Sequence, residues 1–362
     1  MSRPDVRVLV IEDNRVVQHY IAAALKTDKT IQVLSIADNG NTGLELALQL
    51  KPDVILLDLF LPGMDGLTII QHIMRDSPCP IVVLSGELDH QDRDLAFEAQ
   101  RAGAVSVLRK PQGMEAAQFN AFSQNLCRTV QLMSQVKVTR RWLQDATPFA
   151  TAAHCEKQKF PVTENSRQYS IVLIGCSTGG PSALYQLLDQ LPPTFPFTLV
   201  IVQHIEQGFG ETLCEWLRKT GCNVRVPENG ESLEAGVVYL APDNQHLVVG
   251  PGGYFHRVDN PAAKFTPSVD MLFDSVASNV DDPVCAIILT GMGNDGTAGM
   301  QHLYRKGAMT IAEDESSCAV FGMPAAAIKA GVVHRVEPLS GIVDFLRDCA
   351  DENKKACIAA SL

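Results

Sequence analysis

Short, nearly unbroken runs of β-branched and aliphatic residues recur along this chain. Between them, apolar positions fall three and four apart. In the first part of the sequence the runs are Val6–Ile11, Ile31–Ile36, Val54–Asp58, Ile81–Ser85 and Val105–Leu108. Runs that are apolar on both faces predict strands of a parallel sheet covered on both sides. Arg15–Lys26 and Gly66–Arg75 carry the helical spacing. The alternation predicts a five-stranded, doubly wound α/β domain over residues 1–130.

From 131 to 169 the pattern weakens into a polar stretch with Thr, Pro and Ala and no clear period, which reads as an interdomain linker. Alternation resumes with Ile171–Ile174, Thr198–Val202, Val237–Leu240, Ala286–Leu289 and Met309–Ile311, predicting a second α/β domain over 170–350. A chain of 362 residues can bury two such cores.

Composition narrows the function. The formal net charge is −11 and no long basic run occurs, which argues against a protein that grips nucleic-acid phosphates. No apolar run reaches the ~20 residues needed to span a bilayer. The N-terminal residues run straight into a strand without a leader-like segment, so no membrane insertion and a cytoplasmic location are expected. The ten cysteines are scattered without a C-x-x-C pair and read as reduced, buried small hydrophobes. No role beyond loop or surface is assigned to His246, His256, His302 or His334.

In a parallel sheet, ligands bind beyond the carboxyl ends of the strands. Glu12 and Asp13 follow the first predicted strand, Asp58 and Ser85 end the third and fourth, and Lys110 follows the fifth. Clustered carboxylates repel unless a hard cation such as Mg²⁺ lies between them. An aspartate beside that cation is placed to accept a phosphoryl group, whose oxygens a Ser and a Lys can hold. This constellation resembles the receiver domain of two-component response regulators, a flavodoxin-like fold. The resemblance implies that Asp58 is the phosphoacceptor, that Glu12, Asp13 and Asp58 hold Mg²⁺, and that Ser85 and Lys110 form the switch. Val107 stands where such domains usually carry Tyr or Phe.

The second half offers another convergence of strand ends. The strand ending at Gly175-Cys176 presents Ser177 and continues through Thr178-Gly179-Gly180 toward a helix at Pro181. His204 ends the run Thr-Leu-Val-Ile-Val-Gln-His, and the run ending at Thr290 opens into Gly291-Met-Gly-Asn-Asp295-Gly. Singly, His204 fits a core histidine and Asp295 a helix cap. Together they supply the hydroxyl, imidazole and carboxylate of a nucleophilic triad, linked hydroxyl to imidazole and imidazole to carboxylate.

GCSTGG, QH and GMGNDG, in this order, resemble the catalytic domain of CheB-type protein-glutamate methylesterases, a Rossmann-like fold. Tyr239-Leu-Ala-Pro, Pro267-Ser-Val-Asp and Val320-Phe-Gly-Met-Pro fit the same family. The resemblance implies Ser177 as nucleophile, His204 as general base and then acid, and Asp295 as the group that orients the imidazole. Thr178 and the backbone N–H of Met292 stand where the family places oxyanion and positioning contacts. It further implies hydrolysis of glutamate γ-methyl esters on methyl-accepting chemotaxis receptors, often with glutamine deamidation. A CheA-type histidine kinase would be the phosphodonor, and the esterase itself would need no cofactor. Three stretches depart from the family pattern: Ile205-Glu-Gln-Gly-Phe209, Ala263-Lys-Phe-Thr266 and Ala325-Ala326. A catalytically idle adaptor, a transcriptional regulator and a nucleotide-binding Rossmann domain are the competing readings; no basic recognition helix supports the second, and GCSTGG does not supply the G-x-G-x-x-G of the third.

Overall fold

The computed structural model describes residues 6–86, 90–111, 116–136, 138, 169–192, 194–260 and 263–360. The chain divides into two compact units, Met1–Ala150 and Thr151–Leu362. Most of the expected 131–169 linker lies outside the described residues.

In the first unit β1 (Val6–Ile11), α1 (Arg15–Leu25), β2 (Ile31–Ala37), α2 (Gly40–Leu50), β3 (Val54–Asp58), α3 (Gly66–Asp76), β4 (Ile81–Ser85), α4 (His90–Arg101), β5 (Ser106–Arg109) and α5 (Ala116–Met133) follow one another. The strands lie in the order β2-β1-β3-β4-β5, all parallel. Every residue of β3 and β4 is buried, as the unbroken apolar runs require. The helices start where local polar chemistry stops the strand–loop pattern. Asn14 caps α1 through the N–H groups of Val16 and Val17, and Asp65 caps α3 through that of Thr68. The last strand begins at Ser106 rather than Val105, whose N–H instead reaches the carbonyl of Ile81. α5 runs to Met133, three residues past the expected domain end.

The second unit contains β6 (Ile171–Cys176), α6 (Gly180–Gln190), β7 (Thr198–Gln203), α7 (Gly210–Arg218), β8 (Asn223–Arg225), β9 (Val237–Leu240), β10 (His246–Gly250), β11 (Tyr254–Val258), α8 (Val269–Asn279), β12 (Val284–Ile288), α9 (Thr297–Arg305), β13 (Met309–Glu313), α10 (Met323–Lys329), β14 (Arg335–Glu337) and α11 (Leu339–Ala360). Seven strands form a parallel sheet in the order β14-β13-β12-β6-β7-β9-β8. Its central members β12, β6 and β7 are wholly buried. Strand order reverses where β12 and β7 flank β6, which opens the crevice in which such sheets bind ligands.

The structure departs from the expectation in several places. An antiparallel hairpin, β10 with β11, lies outside the main sheet and packs on α8. His246, on β10, is completely buried, so it is neither a loop nor a surface residue, and among the described residues neither ring nitrogen has a hydrogen-bond partner. His334 lies in a loop, as expected, and is half-buried, stacked on Tyr304 and bonded to Thr310. The strand expected at Ala286–Leu289 starts two residues earlier, at Val284, while the N–H of Leu289 still reaches the carbonyl of Gly175. Among the described residues eight cysteines are free thiols, seven of them buried, and burial raises the Cys176 and Cys285 thiols far above their ordinary value. Among the described residues no helix is long and apolar enough to cross a membrane.

Candidate functional sites

In the first unit, parallel register carries the five polar residues to one end of the sheet. Glu12 follows β1, Asp58 closes β3, Ser85 closes β4 and Lys110 follows β5. The backbone N–H of Lys110 donates to the carbonyl of Ser85 at 2.6 Å, which turns the lysine toward the carboxylates. Its ammonium lies 2.7 Å from Asp58 Oδ2 and 3.0 Å from Glu12 Oε2. Glu12, Asp58 and Ser85 are buried, and Asp13 is exposed. The phosphoacceptor candidate therefore sits in the floor of the site with an acid at its rim.

Burial raises the Asp58 carboxyl above its ordinary range, and the Lys110 contact opposes this without cancelling it. Burial, joined by the Asp58 charge, raises Glu12 as well. Burial would lower Lys110, but the bond and charge of Asp58 reverse that and raise it. One ammonium thus leaves the anionic cluster short of positive charge. Carboxylate oxygens of Glu12, Asp13 and Asp58 lie within 4.8 Å of one another. This all-oxygen, net-negative donor set fits a hard divalent cation, so the residues present suit Mg²⁺.

In the second unit, β6 and β7 pair so that Cys176 lies opposite Gln203, and the next residues on each strand are Ser177 and His204. The N–H of His204 donates to the carbonyl of Cys176 at 3.0 Å, which fixes the base beside the nucleophile candidate. β12 flanks β6 on the other side. The loop that follows it brings Asp295 to the imidazole, with His204 Nε2 2.8 Å from Asp295 Oδ2.

Since a carboxylate only accepts, Nε2 carries the proton of the neutral ring, and Nδ1 is left as the basic nitrogen. The familiar protease triad uses the two nitrogens in the opposite sense. The Ser177 hydroxyl makes no hydrogen bond to the imidazole here, so only the second of the two expected triad links is formed. Catalytic contacts of this kind often tighten only when substrate is bound.

Asp295 is held by more than His204. Its Oδ2 also accepts the N–H of Val269 at 2.7 Å. Its Oδ1 accepts the hydroxyl of Ser268 and the N–H groups of Asp270 and Gly296 at 3.0–3.1 Å. Val269 and Asp270 open α8, so the carboxylate sits on that helix's N-terminus. Burial pushes Asp295 up, but the His204 bond and the backbone N–H groups outweigh it and hold it below the usual carboxylate range. Asp270 goes the other way. Burial and the nearby Asp295 charge raise it to about 6, against the N–H of Gly299 that it accepts.

Thr178 and Met292 are both half-exposed on the turns beside Ser177. The carbonyl of Thr178 accepts the hydroxyl of Thr290, tying the nucleophile turn to the loop after β12. That loop can lie so close because residue 291 is glycine: a Cβ there would stand 2.7 Å from the Cβ of Ser177.

Sequence reasoning missed three participants. Gln203 is buried, and its single NH₂ group donates to the carbonyls of both Ser177 and His204 at 2.9 and 2.8 Å. Residue 180 must be glycine for this, since a Cβ would fall 1.9 Å from Gln203 Oε1. Glu313, fully buried at the end of β13, accepts the N–H of Thr290 at 2.7 Å behind the nucleophile turn. Phe265 lies parallel to the His204 ring, with centroids 4.9 Å apart and planes 11° apart. For Gln203 and Glu313 the available signal was a polar residue closing an apolar strand.

Comparison with known proteins gives a family to each unit. Residues 172–346 match the CheB methylesterase family and residues 8–118 the response regulator receiver domain family. A Myxococcus xanthus protein named protein-glutamate methylesterase/protein-glutamine glutaminase 4 is 39% identical over 96% of this chain and 97% of its own. A Paramagnetospirillum magneticum protein of the same name, numbered 2, is 38% identical over 96% of this chain and 98% of its own. Among solved structures, the Thermotoga maritima CheB methylesterase catalytic domain is 37% identical with a TM-score of 0.48, covering 50% of this chain and 98% of that one. With two relatives this similar along nearly their whole length, the chain belongs to the CheB family of protein-glutamate methylesterases/protein-glutamine glutaminases, carrying a response-regulator receiver domain ahead of its esterase domain.

Proposed function

We propose that this chain hydrolyses glutamate γ-methyl esters on methyl-accepting chemotaxis receptors in the cytoplasm, and deamidates receptor glutamines, at a rate set by phosphorylation of Asp58. The observation that carries the esterase reading is the bond between His204 Nε2 and a five-donor Asp295, with Ser177 on the adjoining strand end. Ser177 Oγ attacks the ester carbonyl carbon while His204 Nδ1 takes its proton. The tetrahedral oxyanion forms beside Thr178 and the N–H of Met292; a well-placed donor of this kind supplies about 3–4 kcal/mol. Collapse of the intermediate breaks the bond to methoxide, which leaves as methanol with the proton from His204. Water, deprotonated by the same nitrogen, then frees the glutamate carboxylate and restores Ser177. An amide substrate follows the same steps and releases ammonia.

In the first unit Glu12, Asp13 and Asp58 would hold Mg²⁺, which would neutralise charge on the transferring phosphoryl group. Asp58 would receive that group from a CheA-type histidine kinase, and Lys110 and Ser85 would bind its oxygens. Together these activities would reset receptor sensitivity, which is sensory adaptation.

The test is methanol release from methylated receptor membranes by the full chain, with and without acetyl phosphate and Mg²⁺. Wild type is expected to release methanol faster with the phosphodonor. Asp58→Asn should lose only that increment, and Ser177→Ala should lose turnover altogether. Undiminished release by Ser177→Ala would sink the esterase reading, and an unchanged rate on adding phosphodonor would sink the regulatory one.

A further inference from the structure

The stretch Ala263-Lys-Phe-Thr266 departs from the basic sequence expected before Pro267, and the structure gives one of its residues a place at the catalytic centre. The Phe265 ring lies flat on the imidazole of His204, 4.9 Å between centroids and 11° from parallel. Its far edge reaches the loop after β12: a Cβ built on Gly293, next to Met292, would stand 3.8 Å from Phe265 Cζ. One side chain therefore spans the base and the loop that carries the candidate oxyanion donor.

We infer that Phe265 is a positioning residue for the esterase reaction, holding the plane of His204 so that Nε2 stays on Asp295 and Nδ1 faces Ser177. The inference rests on the reading of the Ser177, His204 and Asp295 cluster as the esterase centre. The physical need for such a residue follows from the geometry of that cluster. Asp295 is fixed by four donors besides the imidazole and cannot follow a turning ring. Correct alignment of Nδ1 therefore depends on the ring torsion of His204 alone. A parallel aromatic face blocks that rotation on one side and keeps water from the buried bond on the same side. When the ring becomes imidazolium, the π face also attracts its positive charge, which an aliphatic group of equal size would not do. Among the described residues, charged groups near this ring include Asp295 on Nε2, Asp270 behind Asp295, and Lys264, whose ammonium lies 5.2 Å from the Phe265 centroid. Phe265 itself is half-exposed and outside the buried core, so replacing it should leave the fold intact.

The experiment compares Phe265→Tyr, Phe265→Leu and Phe265→Ala in the full chain, with acetyl phosphate and Mg²⁺ present, measuring kcat and KM for methanol release from methylated receptor membranes and the thermal midpoint of each variant. Tyrosine keeps the ring and should stay within about 2-fold of wild type. Leucine and alanine should lower kcat about 3- to 10-fold while KM stays within about 2-fold, the size of an aromatic pair contribution expressed as a rate. Wild-type kcat in the leucine and alanine variants would overturn the inference. A loss confined to KM would also overturn it, because Phe265 would then be only a wall against substrate. No methanol release by wild type would overturn the esterase reading on which the inference rests, and it is distinguished from the other outcomes by the control alone.

Discussion

Replacing Asp295 by Asn keeps the shape of the side chain and tests what its charge and acceptor geometry do. The five donors divide unequally between the two oxygens. Oδ2 takes His204 Nε2 and the N–H of Val269, and Oδ1 takes the N–H groups of Asp270 and Gly296 and the hydroxyl of Ser268. The amide NH₂ must face one of these sets. Toward Oδ1 it opposes two backbone N–H groups that cannot reverse, at about 1–3 kcal/mol for each donor left unpaired. Toward Oδ2 it opposes only one such group, Val269, because the imidazole can adapt by moving its proton from Nε2 to Nδ1. The second orientation therefore wins. Its consequence is chemical: Nδ1, now protonated, can no longer accept the proton of Ser177.

The expected result is a kcat loss on the order of 10⁴-fold, the effect of a wrong-tautomer triad, equivalent to about 5.5 kcal/mol in the barrier. Stability should fall only by about 1–3 kcal/mol, the one unpaired N–H of Val269. The assay is methanol release with saturating phosphodonor, beside urea unfolding of the same preparation. A kcat within 10-fold of wild type would refute the reasoning, since a tautomer switched against the nucleophile cannot leave turnover nearly intact. A stability loss much beyond 3 kcal/mol would mean that the amide had taken the other orientation.

Three further outcomes follow from the same contacts. Gly180→Ala drives a Cβ into Gln203 Oε1 and should destabilise the chain by about 1–3 kcal/mol, with a kcat loss as Gln203 releases the carbonyls of Ser177 and His204; chemical unfolding and turnover check both. Lys110→Met leaves Glu12 and Asp58 buried without their ammonium and should cost about 3–5 kcal/mol, partly restored by millimolar Mg²⁺, as urea melts with and without the metal would read. Asp270→Asn keeps an acceptor for the N–H of Gly299 and removes a carboxyl raised to about 6. A carboxyl raised in the folded state weakens folding above its folded pKa, and the penalty fades as pH falls through that value toward the unfolded one. The variant should therefore melt higher than wild type at pH 8, with the gap closing at pH 5.

The strand runs of the sequence place both sites to within a residue or two because strand ends are written locally. Val54–Asp58, Ile81–Ser85 and Val237–Leu240 are found where the runs of apolar residues put them. What local pattern does not contain is sheet order. That β12 lies against β6, rather than another strand, is what sets Thr290 beneath the nucleophile turn. The pairing of β12 with β13 in turn gives the buried Glu313 its partner, the N–H of Thr290. Gln203 likewise reads as the polar end of a strand until its amide is seen to meet two carbonyls from adjacent strands. His246 escaped because the apolar runs predict no strand between Leu240 and Ala286, while the hairpin it opens is closed by the positive-φ glycines 252 and 253. Phe265 lies in a loop, where no periodicity exists to say what a side chain faces.

The two central aspartates show how donor count sorts one residue type into two kinds of chemistry. Both are almost wholly buried, and burial alone would raise either carboxyl. Asp295 receives five hydrogen bonds, two of them from backbone N–H groups at the start of α8 and one from the cap of α9, and falls below the usual range. Every lone pair that could attack or take a proton is already engaged, so it can orient and stabilise a neighbour but not react. Asp58 receives the N–H of Phe60 on one oxygen and Lys110 on the other, and stays above the usual range. Among the described residues its charge is under-compensated, which suits the metal and phosphoryl roles proposed for it. Adding donors around Asp58 should therefore suppress its reactivity even when the geometry is kept, just as removing them from Asp295 should cost orientation before it costs fold.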